Sequence, residues 1–203
     1  MSKSSRATLR RYFRQRRRNL SDADRQHANQ RIFIHLLSMP GLWLCENVGA
    51  YLASNDEAGL DSWIRHAWRR QFSVWVPYVH EEDNLMHFAA HYKGAALQPG
   101  RYGLLHPSKE ARRLPASDLD ALLVPLVAFD AQGTRLGMGG GYYDRHLANF
   151  KTRPKLIGIA YSTQFSAEPL PLESWDVPLD AAVTETGIRY FSHHLTTHSL
   201  EHT

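Results

Sequence analysis

Residues 121–145 read Ala-Leu-Leu-Val-Pro-Leu-Val-Ala-Phe-Asp-Ala-Gln-Gly-Thr-Arg-Leu-Gly-Met-Gly-Gly-Gly-Tyr-Tyr-Asp-Arg. The first four are a continuous apolar run closed by Pro125, the pattern of a central parallel strand buried on both faces. Residues 155–160 repeat that character, and residues 181–184 are a further candidate. Upstream, residues 48–52 read as a short buried strand followed by a polar loop over 54–59. Residues 73–76 and 85–89 are strand-like, separated by a polar turn at 80–84. Helix signals alternate with these strands. They dominate residues 4–18, and Ser21 followed by Asp24 starts a second helix that reaches about Leu37 and stops at Pro40-Gly41. Asp61 is placed to cap a third helix through Trp68, and residues 142–150 form a fourth. Residues 91–119, with Pro99-Gly100, Pro107 and Pro115, wrap the surface as turns. Strands alternating with helices predict an α/β layered domain. Residues 1–191 are expected to form one domain, and 192–203 a frayed polar tail holding His193, His194, His198 and His202.

The 203 residues suffice for one domain with a real core. Cys45 is the only cysteine, which forbids an internal disulfide and favours a reducing compartment. No apolar run approaches the roughly 20 residues of a membrane helix, and no apolar stretch follows the first basic residues as in a secretory signal. A cytoplasmic protein without a membrane partner is expected. The formal net charge of +4 is uneven: Lys3, Arg6, Arg10, Arg11, Arg14, Arg16, Arg17 and Arg18 precede the first acid, and the remaining 16 basic and 20 acidic residues sum to −4. Three uses of that basic end compete: a nucleic-acid arm, a transit peptide, or a first helix that grips phosphate. Helical spacing supports the third, because Arg6, Arg10, Arg14 and Arg17 share one stripe while Leu9, Phe13 and Leu20 form an apolar stripe beside it. A solvated charged face is the plain alternative.

The segment after the best strand carries the chemistry. Gly137, Gly139, Gly140 and Gly141 remove four side chains, so backbone N–H groups can approach an anion. A helix beginning at Tyr142 adds its positive end. Arg135 supplies a planar fork for phosphate oxygens, and Asp144 a hard oxygen suited to magnesium. Dinucleotide and Walker fingerprints do not fit: Tyr142 occupies the third glycine position of the former, and no Gly-Lys-Ser/Thr occurs. A glycine turn that only lets a helix pack close to a strand remains the bland reading.

Arg135-Leu-Gly-Met-Gly-Gly-Gly-Tyr-Tyr-Asp144, preceded by Pro125-Leu-Val-Ala-Phe-Asp130, resembles the signature of the 5-formyltetrahydrofolate cyclo-ligases, also called methenyltetrahydrofolate synthetases. The likeness extends in order along most of the chain. Residues 14–21 are similar to the family's first helix and turn, 52–57 to its folate-contacting segment, and Val76-Pro77 to a strand end. Residues 157–161 with Gln164 are similar to its penultimate strand, and 175–184 to its closing strand region.

The resemblance implies a three-layer α/β/α fold with a mainly parallel sheet, related to the sugar-isomerase and coenzyme-A-transferase group. It also implies a one-carbon-metabolism ligase that uses ATP and magnesium, acts on 5-formyltetrahydrofolate with or without a polyglutamate tail, and works as a monomer with no nucleic-acid partner. By position, ATP would meet Arg6, Arg10, Arg135, Leu136, Gly137, Met138, Gly139, Gly140, Gly141, Tyr142 and Tyr143. The folate would meet Leu52, Glu57 and residues 138–142, with magnesium on Asp144 and Asp176. Arg135, Tyr142 and Asp144 would carry catalysis. Two positions depart from the pattern: Arg6 stands where lysine is usual, and His106-Pro107 where bacterial members commonly read Glu-Pro. A core pattern beginning near Arg6 displaces the transit-peptide reading. Two other classes remain: a paralogue acting on another substrate, and a folate- or RNA-binding module without turnover.

Overall fold

The computed structural model describes residues 3–54, 56–79, 86–99, 105–108, 110–147 and 153–191. In chain order its strands are β1 (Asn47–Gly49), β2 (Ser73–Val79), β3 (Met86–Ala90), β4 (Leu97–Pro99), β5 (Leu105–Pro107), β6 (Arg113–Leu114), β7 (Ala121–Pro125), β8 (Ala128–Phe129), β9 (Arg135–Leu136), β10 (Lys155–Ile159), β11 (Ala181–Thr184) and β12 (Gly187–Tyr190). Its helices are α1 (Lys3–Arg18), α2 (Asp22–Leu37), α3 (Asp61–Arg69) and α4 (Tyr142–Leu147).

The eight-stranded sheet runs β12-β11-β10-β7-β1-β2-β3-β6. Its five central strands, β11, β10, β7, β1 and β2, pair in parallel, with Val48 opposite both Val74 and Ala121, and Ile157 opposite both Leu123 and Ala181. β12, β3 and β6 extend the two edges antiparallel. The apolar run at 121–124 is the central strand it predicts, because strand period 2 sends Ala121 and Leu123 to one face and Leu122 and Val124 to the other, and all four are buried. On the first face they meet Ile32 and Leu36 of α2 and Trp63 and Ile64 of α3. On the second they meet Leu147 of α4, Leu119 and Leu179. These layers are the three-layer α/β arrangement expected from the resemblance. Each fully buried large side chain stabilises by about 1.5–3 kcal/mol. Truncating Trp63 to alanine would cost about 3–5 kcal/mol.

Local chemistry sets the element ends. Ser21 caps α2 by accepting the Asp24 N–H at 3.1 Å, and Pro40 follows its end. α3 closes with Gln71 in the left-handed region (φ 57°) and the Phe72 N–H on the Ala67 carbonyl at 2.9 Å, a Schellman-type stop. Two expectations need adjustment. Asp61 is the first residue of α3, and Leu60 stands at the cap position without a side-chain bond. The strand expected over 48–52 is β1, residues 47–49, with one further bond from the Ala50 N–H to the Trp75 carbonyl at 2.7 Å. The fourth helix, expected over 142–150, is described from Tyr142 to Leu147, and 148–150 fall outside the described residues. The polar turn at 80–84 and the histidine tail fall outside the described residues.

Candidate active site

The order of strands in the chain reverses between β1 and β7, the place where open α/β sheets collect ligands beyond the carboxyl ends of their strands. Arg17 of α1 ties the two outgoing loops together. Its guanidinium is 1% exposed, lies 3.0 Å from Asp56 in the loop after β1, and donates at 3.4 Å to the Leu126 carbonyl after β7. Burial alone would raise the Asp56 pKa, but Arg17 and Arg18 outweigh it and hold the carboxyl below its usual range.

The loop after β7 is rigid where it must aim Arg135. Asp130, buried, accepts the N–H groups of Gln132 (3.0 Å), Thr134 (2.9 Å) and Leu170 (2.9 Å), so it is the turn former its Phe-Asp-Ala-Gln-Gly context suggests. β8 and β9 then pair Phe129 with Arg135 and Ala128 with Leu136. Arg135 is 6% exposed; its Nη2 donates to Asp144 Oδ1 at 2.6 Å and its Nη1 to the Val177 carbonyl, while the Val177 N–H returns to Asp144 Oδ1 at 3.2 Å. Burial pushes the Arg135 pKa down, and Asp144, Asp176 and Tyr143 oppose that shift, so the guanidinium stays charged. Between β9 and α4, residues 138–140 are exposed, and Gly139 (φ 106°) and Gly141 (φ 63°) adopt conformations that L side chains resist. Met138 is half exposed at 51%, an apolar surface at the mouth of the crevice.

α1 covers this loop. Phe13 and Leu9 dock on Val127, Ala128, Leu136 and Leu170, which turns the arginine stripe inward. Arg10 Nε donates to the Gly137 carbonyl at 2.8 Å and its guanidinium lies beside Gly139. Arg6 grips Asp176 with both Nη atoms, at 2.9 and 3.2 Å, a fork that the usual lysine could not make.

Glu57 belongs to the other wall. Its Oε2 accepts the Ser54 N–H at 2.9 Å, and its carbonyl accepts from Tyr161 at 3.2 Å. Tyr143, beside both Glu57 and Arg135, has its phenol pushed well above the ordinary range by burial, reinforced by Glu57 and opposed by Arg135. A phenol held so firmly protonated suits a wall or a proton donor better than a base. Tyr142 stacks under Arg145, 5.1 Å from ring centroid to guanidinium, and leaves no room for a side chain at Gly140. Leu52 is half-buried against the core beneath the same loop. A polar cleft of about 450 Å³ opens beside Glu57 between α2 and α3.

The structure therefore gathers the arginine stripe, the glycine loop, Arg135, Asp144 and Asp176 around one crevice, with the Glu57 loop opposite. Sequence reading singled out neither Asp56 nor the Val177 carbonyl, because neither lies in a chemical pattern; Arg17 was visible only as a member of the stripe. For magnesium the fit is partial. No group of three His, Cys, Asp or Glu able to hold a metal occurs among the described residues. Asp144 Oδ2 has no partner among the described residues, so Asp144 suits an ion that keeps waters and phosphate oxygens. Both oxygens of Asp176 are taken by Arg6, so Asp176 could serve a metal only if that fork opened.

The model of the 5-formyltetrahydrofolate cyclo-ligase family matches residues 2–185. The chain belongs to this family. The 5-formyltetrahydrofolate cyclo-ligase of Escherichia coli is 37% identical over 181 residues, covering 86% of this chain and 97% of that protein. The Haemophilus influenzae protein of the same name is 32% identical over 182 residues, covering 88% and 97%. The structure of the 5,10-methenyltetrahydrofolate synthetase of Aquifex aeolicus is similar with a TM-score of 0.82 at 33% identity, covering 97% of this chain and 96% of that one. That of Mycoplasma pneumoniae gives 0.72 at 26% identity, covering 89% and 98%.

Proposed function

We infer that the chain closes 5-formyltetrahydrofolate to 5,10-methenyltetrahydrofolate, using ATP and releasing ADP and phosphate. Family membership across residues 2–185 carries the reading, and the clustering of cationic and glycine-rich elements at the sheet's ligand-bearing crevice supports it.

A formamide is a poor electrophile because its nitrogen feeds electrons into the carbonyl. In the proposed reaction the formyl oxygen attacks the γ-phosphorus, and the electron pair of the broken P–O bond leaves with ADP. The neighbouring N10 amine then attacks the activated carbon, phosphate departs with the C–O electron pair, and N10 loses its proton. Nothing in this sequence needs a protein nucleophile, so positioning and charge stabilisation account for the catalysis. The glycine amides over 137–141, Arg10 and Arg135 would hold phosphate oxygens, with Arg6 and Tyr143 at the rim. Leu52, Glu57, Met138 and Tyr142 would hold the folate, Glu57 accepting the paired N–H donors of the pterin edge. Magnesium, when bound, would neutralise phosphate charge next to Asp144, with Asp176 joining once released by Arg6. The reading takes the protein as a cytoplasmic monomer.

The test is formation of the methenyl chromophore with ATP, magnesium and 5-formyltetrahydrofolate together and with each omitted. Turnover without nucleotide would end the ligase reading, and ATP hydrolysis that ignores the folate would favour a paralogue with another substrate.

A further inference from the structure

Three arginines of the α1 stripe already have work in the fold. Arg6 holds Asp176, Arg10 holds the Gly137 carbonyl, and Arg17 holds Asp56 and the Leu126 carbonyl. Among the described residues Arg14 holds nothing. Its Nε is shut off from solvent without an acceptor, and no acid pairs with its guanidinium among the described residues. The residue is half-buried: Nε is enclosed, while the two Nη atoms keep solvent contact. Leaving even one buried donor unfilled is costly, and an arginine cannot escape by losing its proton. The neighbourhood is short of negative charge: burial and then Arg6 hold Arg10 below its ordinary pKa, against Asp176, while Asp56 is committed to Arg17 and Arg18.

Its position along the helix says what anion would answer that need. At about 1.5 Å per residue, Arg14 stands roughly 6 Å along the axis from Arg10 and 4.5 Å from Arg17. Arg10 marks the glycine loop, and Arg17 marks the Asp56–Glu57 loop. Arg14 thus lies between the wall assigned to nucleotide phosphate and the wall assigned to the pterin. The glutamate tail of a folate lies at the far end of the molecule from its pterin.

We propose that Arg14 is a catalytic residue that holds the phosphoryl group as it passes from the nucleotide to the formyl oxygen. This rests on the ring-closure reading above. As the bond from phosphorus to ADP breaks and the bond to the formyl oxygen forms, Arg14 would neutralise the equatorial oxygens. It would keep the phosphate through the second step, when the C–O bond breaks toward phosphate and N10 bonds to the carbon.

The test is single-turnover ring closure with enzyme in excess, comparing the parent with Arg14→Gln and Arg14→Lys. Arg14→Gln should slow the chemical step by about 100-fold or more, as for loss of one transition-state donor. The KM values for ATP and folate should stay within about 3-fold, the split expected for an interaction made in the transition state. Low guanidinium should restore part of the rate, which it would not do for a purely structural arginine, and Arg14→Lys should fall between. An unchanged single-turnover rate in Arg14→Gln overturns the proposal. So does a loss confined to folate KM that grows with glutamate tail length, which would make Arg14 a tail contact. If Arg14→Gln does not fold, Arg14→Lys decides: a rate equal to the parent's removes Arg14 from the chemistry. A parent without turnover would sink the ring-closure reading itself, whereas an active parent beside an equally active Arg14→Gln removes only this assignment.

Discussion

Replacing Asp144 with asparagine should cost stability as well as activity, because the carboxylate is the counter-ion of a buried arginine. Asp144 Oδ1 takes the Arg135 Nη2–H at 2.6 Å and the Val177 N–H at 3.2 Å, with the Arg135 side chain 4% and the Asp144 side chain 19% exposed. Removing one partner of a fully buried ion pair costs about 3–5 kcal/mol. Asparagine keeps an acceptor oxygen, Asp176 still faces Arg135, and the carboxylate is partly hydrated, so about half that figure applies, roughly 1.5–2.5 kcal/mol. For 203 residues, that lowers Tm by about 3–10 °C. Activity should fall by about 100-fold or more, beyond anything the lost stability explains at assay temperature. The assays are thermal unfolding and steady-state ring closure, joined to a double-mutant cycle with Arg135→Met. Direct pairing predicts a coupling of about 1–3 kcal/mol. An Asp144→Asn protein that melts within about 1 °C of the parent, or a cycle that closes additively, would refute the pairing.

Three further outcomes follow from the same geometry. Glu57→Gln keeps the shape but turns one acceptor into a donor, and it should weaken folate binding by about 1–3 kcal/mol, roughly 5- to 150-fold, while leaving ATP titrations unchanged; equal folate affinity would remove Glu57 from the site. Gly139→Ala forces a side chain into φ 106° beside Arg10, so it should cost about 1–3 kcal/mol and weaken ATP far more than folate, and a variant with normal ATP affinity would show that the loop conformation does not matter. Asp56 is opposed by its burial but held below its usual pKa by Arg17 and Arg18, so its contribution is full above about pH 4 and lost as pH falls through its lower folded-state pKa; Asp56→Asn should flatten that acid limb of the stability curve, and an unchanged limb would mean the pair contributes nothing.

The parts of this molecule that were legible beforehand are those governed by local pattern. Residues 121–124 could hardly be anything but a strand buried on both faces, and Ser21 with Asp24 names its helix start by the hydrogen bond it makes. The glycine segment stood out because four missing side chains between Arg135 and Asp144 suit either an anion or a close helix–strand approach, and the loop it forms was foreseeable as exposed backbone. What escaped was long-range: that Asp144 answers Arg135 inside a ring closed by the Val177 backbone, or that Arg17 reaches Asp56 across the crevice, depends on a separation of 33 or 39 residues. Asp61 shows the smaller failure. Its residue type suits a cap, but Leu60 takes that place and Asp61 begins the first turn, where an acid also suits the helix dipole.

The central claim is that the formyl oxygen itself is phosphorylated, and labelling that oxygen with a heavy isotope tests it most directly. After complete turnover with unlabelled ATP in unlabelled water, the released phosphate should carry one heavy oxygen per molecule, because the C–O bond breaks only after phosphorus has bonded to that oxygen. Phosphate free of the label, with the heavy oxygen recovered in water, would contradict the account.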